Sequence, residues 1–303
     1  KRQMRTSFKS LCIRILILLL FSCKKSSSVG LPNLENKKGL LNRSLLYQNQ
    51  IREYILYIPQ SYSEDTPLPV MLNFHGFGGT AKRHLRSADM RELSESKGFI
   101  LIYPQGTLLG NYAHWNPSLI GEGNKSSTDD LGFIDKLLTT LPEEINIDSS
   151  RIYACGYSNG GFFSYGLACN LYSQIAAIGS VAGTMMSDTY ENCQATMPKP
   201  MINIHGMNDP IVPYEGAPGL IPINDVLNFW SELNFAENVE INFFEGVENY
   251  VYKDSIETPF VSHYKILNGT HTWDYNSLLS NNINTNELIW EFVSKFDING
   301  FIE

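Results

Sequence analysis

The stretch with the most distinctive chemistry is Gly-Tyr-Ser-Asn-Gly-Gly, residues 156–161. It follows the apolar run 152–155 and precedes a helical pattern, so Ser158 falls in a sharp turn from a strand into a helix. Glycines on both sides allow this turn and hold the hydroxyl out at the end of the sheet, above the helix N-terminus. We predict that Ser158 is a nucleophile; a glycine-rich turn with a capping serine is the alternative.

A serine hydroxyl is a poor nucleophile at neutral pH, so it requires a general base and a carboxylate that orients the base. Among six histidines, His271 lies late in the chain, in a turn after the apolar run 264–267, and is the predicted base. His263 lies inside that strand-like run, where a histidine is more often structural, and is the weaker candidate.

The predicted acid is Asp209, which lies in the turn 205–210 directly after the apolar run 201–204. A carboxylate there projects from the C-terminal edge of a sheet, and it completes the chain order Ser, Asp, His. A capping aspartate ahead of a proline is the bland alternative, and Glu215 and Asp188 are weaker candidates for the acid.

A tetrahedral intermediate also needs backbone N–H groups aimed at its negative oxygen. The amide of Asn159, directly after the predicted nucleophile, is one expected donor. The other is the amide of Phe77, in the glycine-rich loop 75–80 after an early apolar run. His75 at the start of this loop is expected to be structural.

These residues need a scaffold that brings distant parts of the chain together, and the apolar pattern predicts one. Strand-like runs alternate with helical patterns, and such alternation predicts an α/β domain with a mostly parallel central sheet and helices on both faces. The strands are expected at 54–58, 69–74, 99–103, 152–155, 175–181 and 201–204, and the helices near 84–97, 129–144, 160–172, 224–235 and 285–296.

The N-terminus differs from the rest in charge. The 303-residue chain has a formal charge of −8, but its first 22 residues hold five basic and no acidic side chains. We interpret residues 1–22 as a signal peptide of the lipoprotein type, 23–42 as a flexible tether and 43–303 as the catalytic domain. Cys23 is the predicted lipidation site, and plain secretion is the alternative. The remaining chain is acidic, which argues against nucleic acid as a partner.

After removal of residues 1–22 and lipidation of Cys23, three cysteines remain to be placed: Cys155, Cys169 and Cys193. An odd number outside the cytosol suggests one disulfide and one buried thiol. Cys155 lies in an apolar run and fits the buried thiol, so Cys169 and Cys193 are the better pair, although sequence alone does not fix the connectivity.

With these residues in hand, the chain resembles the extracellular polyhydroxybutyrate depolymerase and feruloyl/acetylxylan esterase family, an α/β-hydrolase family similar to carbohydrate esterase family 1. The resemblance extends over residues 54–273. The matching segments are PLPV, HGFGG, YPQG, WN, DDLGFI, GYSNGG, VAGTM, HGMNDPIVPY and GTHTW. It implies a single-domain serine carboxylic ester hydrolase without cofactor, with Ser158, Asp209 and His271 as nucleophile, acid and base. The substrates it implies are feruloyl or acetyl esters of xylan, or short polyhydroxyalkanoates.

Further predictions concern substrate contacts and metals. Trp115, Trp273, Tyr112 and Phe77 could form an aromatic wall for a phenolic acyl group or a sugar, with the alternative that they are ordinary core residues. Asp129 and Asp130 are expected to cap a helix rather than to bind a metal, because no His or Cys accompanies them at ligand spacing. The alternatives left open are a serine acyltransferase or peptidase, and a non-catalytic carbohydrate-binding lipoprotein. The predicted location is extracytoplasmic, with contact to the membrane only through the lipid.

Overall fold

A computed structural model describes residues 38–119, 123–275 and 284–303 of the chain. Its strands are β1 Gly39–Tyr47, β2 Gln50–Ile58, β3 Leu68–Phe74, β4 Ile100–Pro104, β5 Thr107–Leu109, β6 Tyr112–His114, β7 Ile147–Tyr157, β8 Ala177–Val181, β9 Met201–Gly206, β10 Asn238–Phe244, β11 Val247–Lys253, β12 Pro259–Ile266, β13 Phe296–Asp297 and β14 Gly300–Phe301. Its α-helices are α1 Ala81–Ser87, α2 Arg91–Lys97, α3 Asp130–Thr140, α4 Asn159–Asn170, α5 Ser187–Glu191, α6 Ile223–Leu233 and α7 Thr285–Val293.

The main sheet has ten strands in the order β1-β2-β4-β3-β7-β8-β9-β12-β11-β10. Its centre, from β4 to β12, is parallel, whereas β1 and β2 at one end and β11 and β10 at the other pair antiparallel. The predicted mostly parallel sheet is therefore confirmed. Parallel strands with short apolar runs need cover on both faces, and their ends collect at one edge, where loops can meet.

Side chains alternate sides along each strand, so the apolar central strands present apolar side chains on both faces of the sheet. Helices cover both of these faces. Along β3, for example, Val70, Leu72 and Phe74 belong to one apolar core and Met71 to the other. The first core is closed by α3, α4 and α6, and the second by α1, α2 and α7. The described residues, from 38 to 303 with the two gaps given above, belong to one compact unit.

The predicted helix over residues 84–97 is in fact two helices, α1 and α2. Between them Ala88 and Met90 are buried, and the carboxylate of Asp89 accepts a hydrogen bond of 3.0 Å from the amide of Arg91, which starts the second helix. The periodicity of the apolar residues continued across this break, so the sequence did not reveal it.

The predicted tether, residues 23–42, extends too far into the chain. β1 begins at Gly39 and pairs with β2 along its whole length, and its alternate residues Leu41 and Leu45 pack against the core. The predicted signal peptide and the predicted lipidation site Cys23 lie outside the described residues.

Cys169 at the end of α4 and Cys193 after α5 form a disulfide, with their Cα atoms 4.7 Å apart, as the sequence suggested. Cys155 is a buried free thiol on β7. None of the helices in the described part of the chain combines the length and the apolar character needed to cross a bilayer.

Candidate active site

The turn that carries Ser158 is tight and strained. β7 ends at Tyr157 and α4 begins at Asn159, so a single residue makes the turn, with φ of +54° and ψ of −117°. Residues other than glycine rarely adopt such backbone angles, because the conformation costs on the order of 1–3 kcal/mol of free energy. The Ser158 amide donates to the carbonyl of Val181 on the next strand, at 2.9 Å, and this bond helps to hold the conformation.

Two glycines make room for this turn. A Cβ atom on Gly156 would overlap backbone atoms of Gly160, and one on Gly160 would overlap the carbonyl of Phe74 on β3. Helix α4 therefore begins almost in contact with the two strands below it, and this places the hydroxyl of Ser158 at the C-terminal edge of the sheet.

The three predicted residues meet at that edge. Ser158 Oγ lies 3.0 Å from Nε2 of His271, and Nδ1 of His271 lies 2.7 Å from Oδ2 of Asp209. Asp209 follows β9 and His271 follows β12, which are parallel neighbours. The arrangement can therefore pass a proton from a serine to an imidazole that a carboxylate orients.

Backbone donors fix the carboxylate of Asp209. Its Oδ1 accepts from the amides of Ile211 at 2.8 Å and Val212 at 2.9 Å, which leaves Oδ2 for His271. Burial alone would raise the pKa of Asp209, but the hydrogen bonds from His271 and from the two amides outweigh it and keep the pKa below its ordinary value. The group is therefore an anion at neutral pH.

Tyr157 and His205 support the site, although the sequence analysis assigned neither of them a role. The hydroxyl of Tyr157 donates to the carbonyl of His271 at 3.0 Å, and the two rings lie 5.0 Å apart. His205 donates from Nε2 to the carbonyl of Val212 at 2.8 Å and lies 3.6 Å from Oδ2 of Asp209. In the sequence, only position pointed to these supporting roles: Tyr157 directly precedes Ser158, and His205 lies in the same turn as Asp209.

The two predicted oxyanion donors, Asn159 at the start of α4 and Phe77 in the loop 75–80, lie in segments that are linked through Trp115. No hydrogen bond within the described residues engages the amide of Phe77 or of Asn159. The side chain of Asn159 bonds both the amide and the carbonyl of Trp115, and Trp115 Nε1 donates to the carbonyl of His75 at 3.0 Å. Both amides are thus free to bind an anion.

His75 packs the glycine-rich loop, as expected. It accepts a hydrogen bond of 3.0 Å at Nε2 from the amide of Gly106, so Nδ1 carries the proton and donates to the carbonyl of Gly76 at 2.8 Å. Burial lowers the pKa of His75 to about 4, and the imidazole is neutral over the working range of most enzymes.

The predicted aromatic wall is only partly present. Trp115 is fully buried and stacks on Phe163, so burial contradicts its predicted contact with substrate. Trp273 is 6% exposed, packs beside His84 and donates from Nε1 to Asn286, which is the arrangement of a core residue.

Tyr112 is 59% exposed, and its ring stacks on that of Phe77, which is 46% exposed, with centroids 5.6 Å apart. The ammonium of Lys125 lies 5.3 Å from the Phe77 ring. This exposed pair, Phe77 and Tyr112, is hereafter the aromatic rim of the site.

The other candidate residues have structural roles. His263 is buried and bonded to the hydroxyl of Tyr214 at 2.9 Å, and Asp188 accepts from the amide of Gly123, so neither belongs to the Ser158 cluster. Asp129 caps α3, as predicted, by accepting from Gly132.

Asp130 forms a buried ion pair with Arg52 at 2.6 Å, which the sequence did not indicate. Among the described residues, no group of three or more His, Cys, Asp or Glu side chains is placed to hold a metal ion.

The strand order, the strained serine turn and the Ser–His–Asp geometry together define an α/β-hydrolase. Solved structures share this fold. An acetyl xylan esterase from Aspergillus awamori superposes with a TM-score of 0.62 at 17% identity, covering 84% of this chain and 99% of that one. A thermostable esterase superposes with a TM-score of 0.59 at 16% identity, covering 85% and 63%.

The chain is homologous to feruloyl and acetylxylan esterases, which confirms that part of the predicted resemblance. It is 24% identical to a bifunctional acetylxylan esterase/xylanase from Neocallimastix patriciarum over 82% of this chain and 34% of the relative. It is 29% identical to feruloyl esterase C from Emericella nidulans, over 56% of this chain and 60% of the relative. A phospholipase/carboxylesterase family profile matches residues 121–220. The chain thus spans between a third and three-fifths of the length of these curated relatives.

Proposed function

We propose that the chain is a serine carboxylic ester hydrolase in which Ser158 is the nucleophile, His271 the general base and Asp209 the orienting acid. The observation that carries this proposal is a pair of hydrogen bonds through His271. Ser158 Oγ lies 3.0 Å from His271 Nε2, and His271 Nδ1 lies 2.7 Å from Asp209 Oδ2. Both distances suit proton transfer without rearrangement of the side chains.

In the acylation step, Ser158 Oγ attacks the ester carbonyl carbon while its proton moves to Nε2 of His271. The carbonyl oxygen becomes an oxyanion and accepts hydrogen bonds from the amides of Phe77 and Asn159. Collapse of the tetrahedral intermediate breaks the bond to the alcohol, which leaves with the proton from His271. The acyl group remains on Ser158.

Deacylation repeats these steps with water. His271 takes a proton from the water, the hydroxide oxygen attacks the acyl carbon, and Ser158 regains the proton as the carboxylic acid leaves. Throughout the cycle Asp209 stays ionised and stabilises the imidazolium. Ser158 is 8% exposed, whereas the two residues of the aromatic rim are largely in solvent.

The proposed substrates are feruloyl or acetyl esters of plant cell-wall xylan, with short polyhydroxyalkanoate esters as the other candidate class. The names of the curated relatives support the first class. The exposed stack of Phe77 on Tyr112 supports a flat acyl group or a sugar next to the reacting carbon. Comparing acetylated xylan, methyl ferulate and hydroxybutyrate oligomers in one assay separates these possibilities.

Secretion and lipidation at Cys23 are part of the same proposal. The disulfide between Cys169 and Cys193 supports an oxidising compartment, because such bonds rarely persist in the cytosol. Metabolic labelling with a fatty acid, compared between the natural sequence and Cys23→Ser, tests the lipid anchor.

The proposed function is tested with Ser158→Ala. We expect turnover of p-nitrophenyl acetate to fall at least about 10³-fold, with an unchanged far-UV circular dichroism spectrum. Ser164→Ala, which removes a buried hydroxyl from the same helix, is the matched control and should keep its activity and its labelling by a fluorophosphonate probe. Activity that persists in Ser158→Ala would mean a different nucleophile, and an unmodified enzyme that never labels would favour a non-catalytic binding protein. Product analysis with an added alcohol separates hydrolysis from acyl transfer.

A further inference from the structure

Strand β10, Asn238–Phe244, lies at one end of the sheet with apolar side chains in solvent. Val239, Ile241 and Phe243 are 50%, 41% and 73% exposed. Alternate residues of a strand point to the same face, so these three form one apolar row along the edge. Single exposed apolar residues are ordinary, but a row on a free edge is typical of a contact surface.

This edge lacks the devices that usually prevent strands from pairing between molecules. Within the described residues β10 pairs only with β11, so one row of its backbone N–H and C=O groups is unpaired. The strand contains no proline, glycine or basic residue, and its one charge, Glu240, is already neutralised by Lys253 at 2.6 Å. By contrast, β1 at the opposite edge carries Arg43 at its centre. Natural edge strands are normally protected by charge, proline or a bulge.

We propose that β10 pairs antiparallel with β10 of a second copy of this chain, about a two-fold axis at Ile241. Residues that lie opposite each other in paired strands point to the same face of the sheet. In two copies of one strand related by a two-fold axis, an even-numbered residue must therefore lie opposite an even-numbered one and an odd-numbered residue opposite an odd-numbered one. With the axis at Ile241, all seven residues find a partner: Ile241 faces itself, Val239 faces Phe243, Glu240 faces Asn242 and Asn238 faces Phe244.

The side chains suit this register on both faces. On one face, Val239, Ile241 and Phe243 meet Phe243, Ile241 and Val239 of the other copy, which gives a continuous apolar row across the axis. On the other face each Glu240 lies opposite an amide of Asn242, which can donate to it. An axis at Glu240 would instead set two carboxylates directly opposite each other, which is unfavourable. The contact uses the same patch on both copies and closes as a dimer.

The proposed contact leaves both catalytic sites open. β10 is five strand positions from β7, which leads to Ser158, so β10 lies about 24 Å across the sheet from β7 at the usual spacing of strands, and the axis lies half a spacing further out. Loss of the dimer should therefore leave the hydrolysis of a small ester unchanged, and the dimer and the proposed activity can fail independently.

The oligomeric state of the purified chain tests the proposal, measured by size-exclusion chromatography with light scattering over a range of concentrations. We expect a dimer for the natural sequence and a monomer for Ile241→Lys, with equal activity on p-nitrophenyl acetate. Leu46→Lys, which adds the same charge to an exposed position of β1, is the matched control and should remain dimeric. A natural chain that is monomeric throughout, or an Ile241→Lys variant that stays dimeric, overturns the proposal. So do larger assemblies that Leu46→Lys dissolves, because they would mean pairing of β1 with β10.

The register is tested by oxidative cross-linking, which does not depend on a destabilising charge. In a background with Cys12→Ser and Cys23→Ser, Ile241→Cys should form a disulfide-linked dimer, because opposite Cα atoms of paired strands lie about 4.5–5.5 Å apart. Val239→Cys is the control on the same face: two copies of residue 239 would be about 13 Å apart and should not link. Equal linking of both variants, or linking of Val239→Cys alone, contradicts the register. Cys155 is buried and does not interfere.

Discussion

The two carboxylate oxygens of Asp209 have different hydrogen-bond partners. One carboxylate oxygen is occupied by two backbone amides, so the side chain cannot rotate and the other oxygen faces His271. The same hydrogen bonds lower its pKa despite burial. The acid is thus fixed in both orientation and charge, which is what an imidazole needs in order to present Nε2 to a serine.

Replacing this carboxylate tests that role. In Asp209→Asn we expect kcat to fall about 10⁴-fold with little change in KM, because an amide favours the wrong tautomer of His271. Steady-state kinetics on p-nitrophenyl acetate measure the effect. Glu215→Gln, at the acidic position that sequence alone left as an alternative, should behave as the unmodified enzyme. A loss in Glu215→Gln that equals the loss in Asp209→Asn would reassign the acid.

The aromatic rim leads to a second prediction about single residues. Tyr112→Ala removes one ring of the aromatic rim and with it the proposed stacking contact with the feruloyl group. An aromatic pair contributes about 0.5–1.5 kcal/mol, so kcat/KM for methyl ferulate should fall by about 2- to 12-fold. Hydrolysis of p-nitrophenyl acetate, with its small acyl group, should change little. Leu108→Ala on the same hairpin is the control, since Leu108 is exposed but takes no part in the stack. Equal losses on both esters would show that the hairpin acts on the fold rather than on the acyl group.

Local sequence sufficed for Ser158, Asp209 and His271 because each lies in a turn directly after a strong apolar run. It was insufficient for Trp115 and Trp273. An aromatic residue beside a predicted site has the same sequence whether its ring faces solvent or the core, and only the packing of Phe163 and His84 against these rings decides the matter. Tyr157 and His205 were missed because their roles depend on contacts across the chain.

At the scale of elements, the sequence predicted β2 and most of the central strands of the sheet, but not β1, β10 and β11 at its ends. β3, β4 and residues 152–155 of β7 are apolar at nearly every position because both of their faces are covered. β10 is exposed along nearly its whole length, and β5 and β6 are only three residues long each, so their sequences lack the long apolar run that signals a strand. Their pairing is fixed by neighbours that the local sequence does not name.

The disulfide ties α4, the helix behind the nucleophile, to the segment after α5. Cys169 and Cys193 are 24 residues apart. Closing a loop of that size lowers the conformational entropy of the unfolded chain, which raises the free energy of unfolding by about 3 kcal/mol. The variant with both residues changed to Ser should therefore lose about 3 kcal/mol in its free energy of unfolding, measured by urea denaturation. Its activity at low temperature should be retained. Cys155→Ala is the control for loss of a cysteine outside the bond, and a double variant with unchanged stability contradicts the prediction.

For the molecule as a whole, burial of histidine couples stability to pH. Burial lowers the pKa of His75 to about 4, and of His84 and His263 to about 3, whereas the unfolded chain binds these protons near pH 6.5. Unfolding therefore takes up protons between those values, so the free energy of unfolding falls as the pH is lowered from 7 towards 4. At pH 5 the loss is on the order of 2 kcal/mol for each histidine.

Urea denaturation at several pH values measures this slope. In His84→Gln, whose amide can still meet Asn73, the dependence on pH should be shallower, because burial lowers the pKa of four histidines, His205 included, and this variant removes one of them. The variant separates proton uptake from a simple loss of packing, which would lower stability equally at every pH. A natural chain equally stable at pH 5 and pH 7 would contradict the assignment of buried, neutral histidines.

The separation between Ser158 and His271, 113 residues along the chain, has a consequence for shortened forms of the protein. A chain that ends before β12 carries the serine turn without the imidazole, whose position depends on the pairing of β12 with β9. On the proposed mechanism, such a truncated chain is inert towards esters although it keeps the strands from β1 to β9.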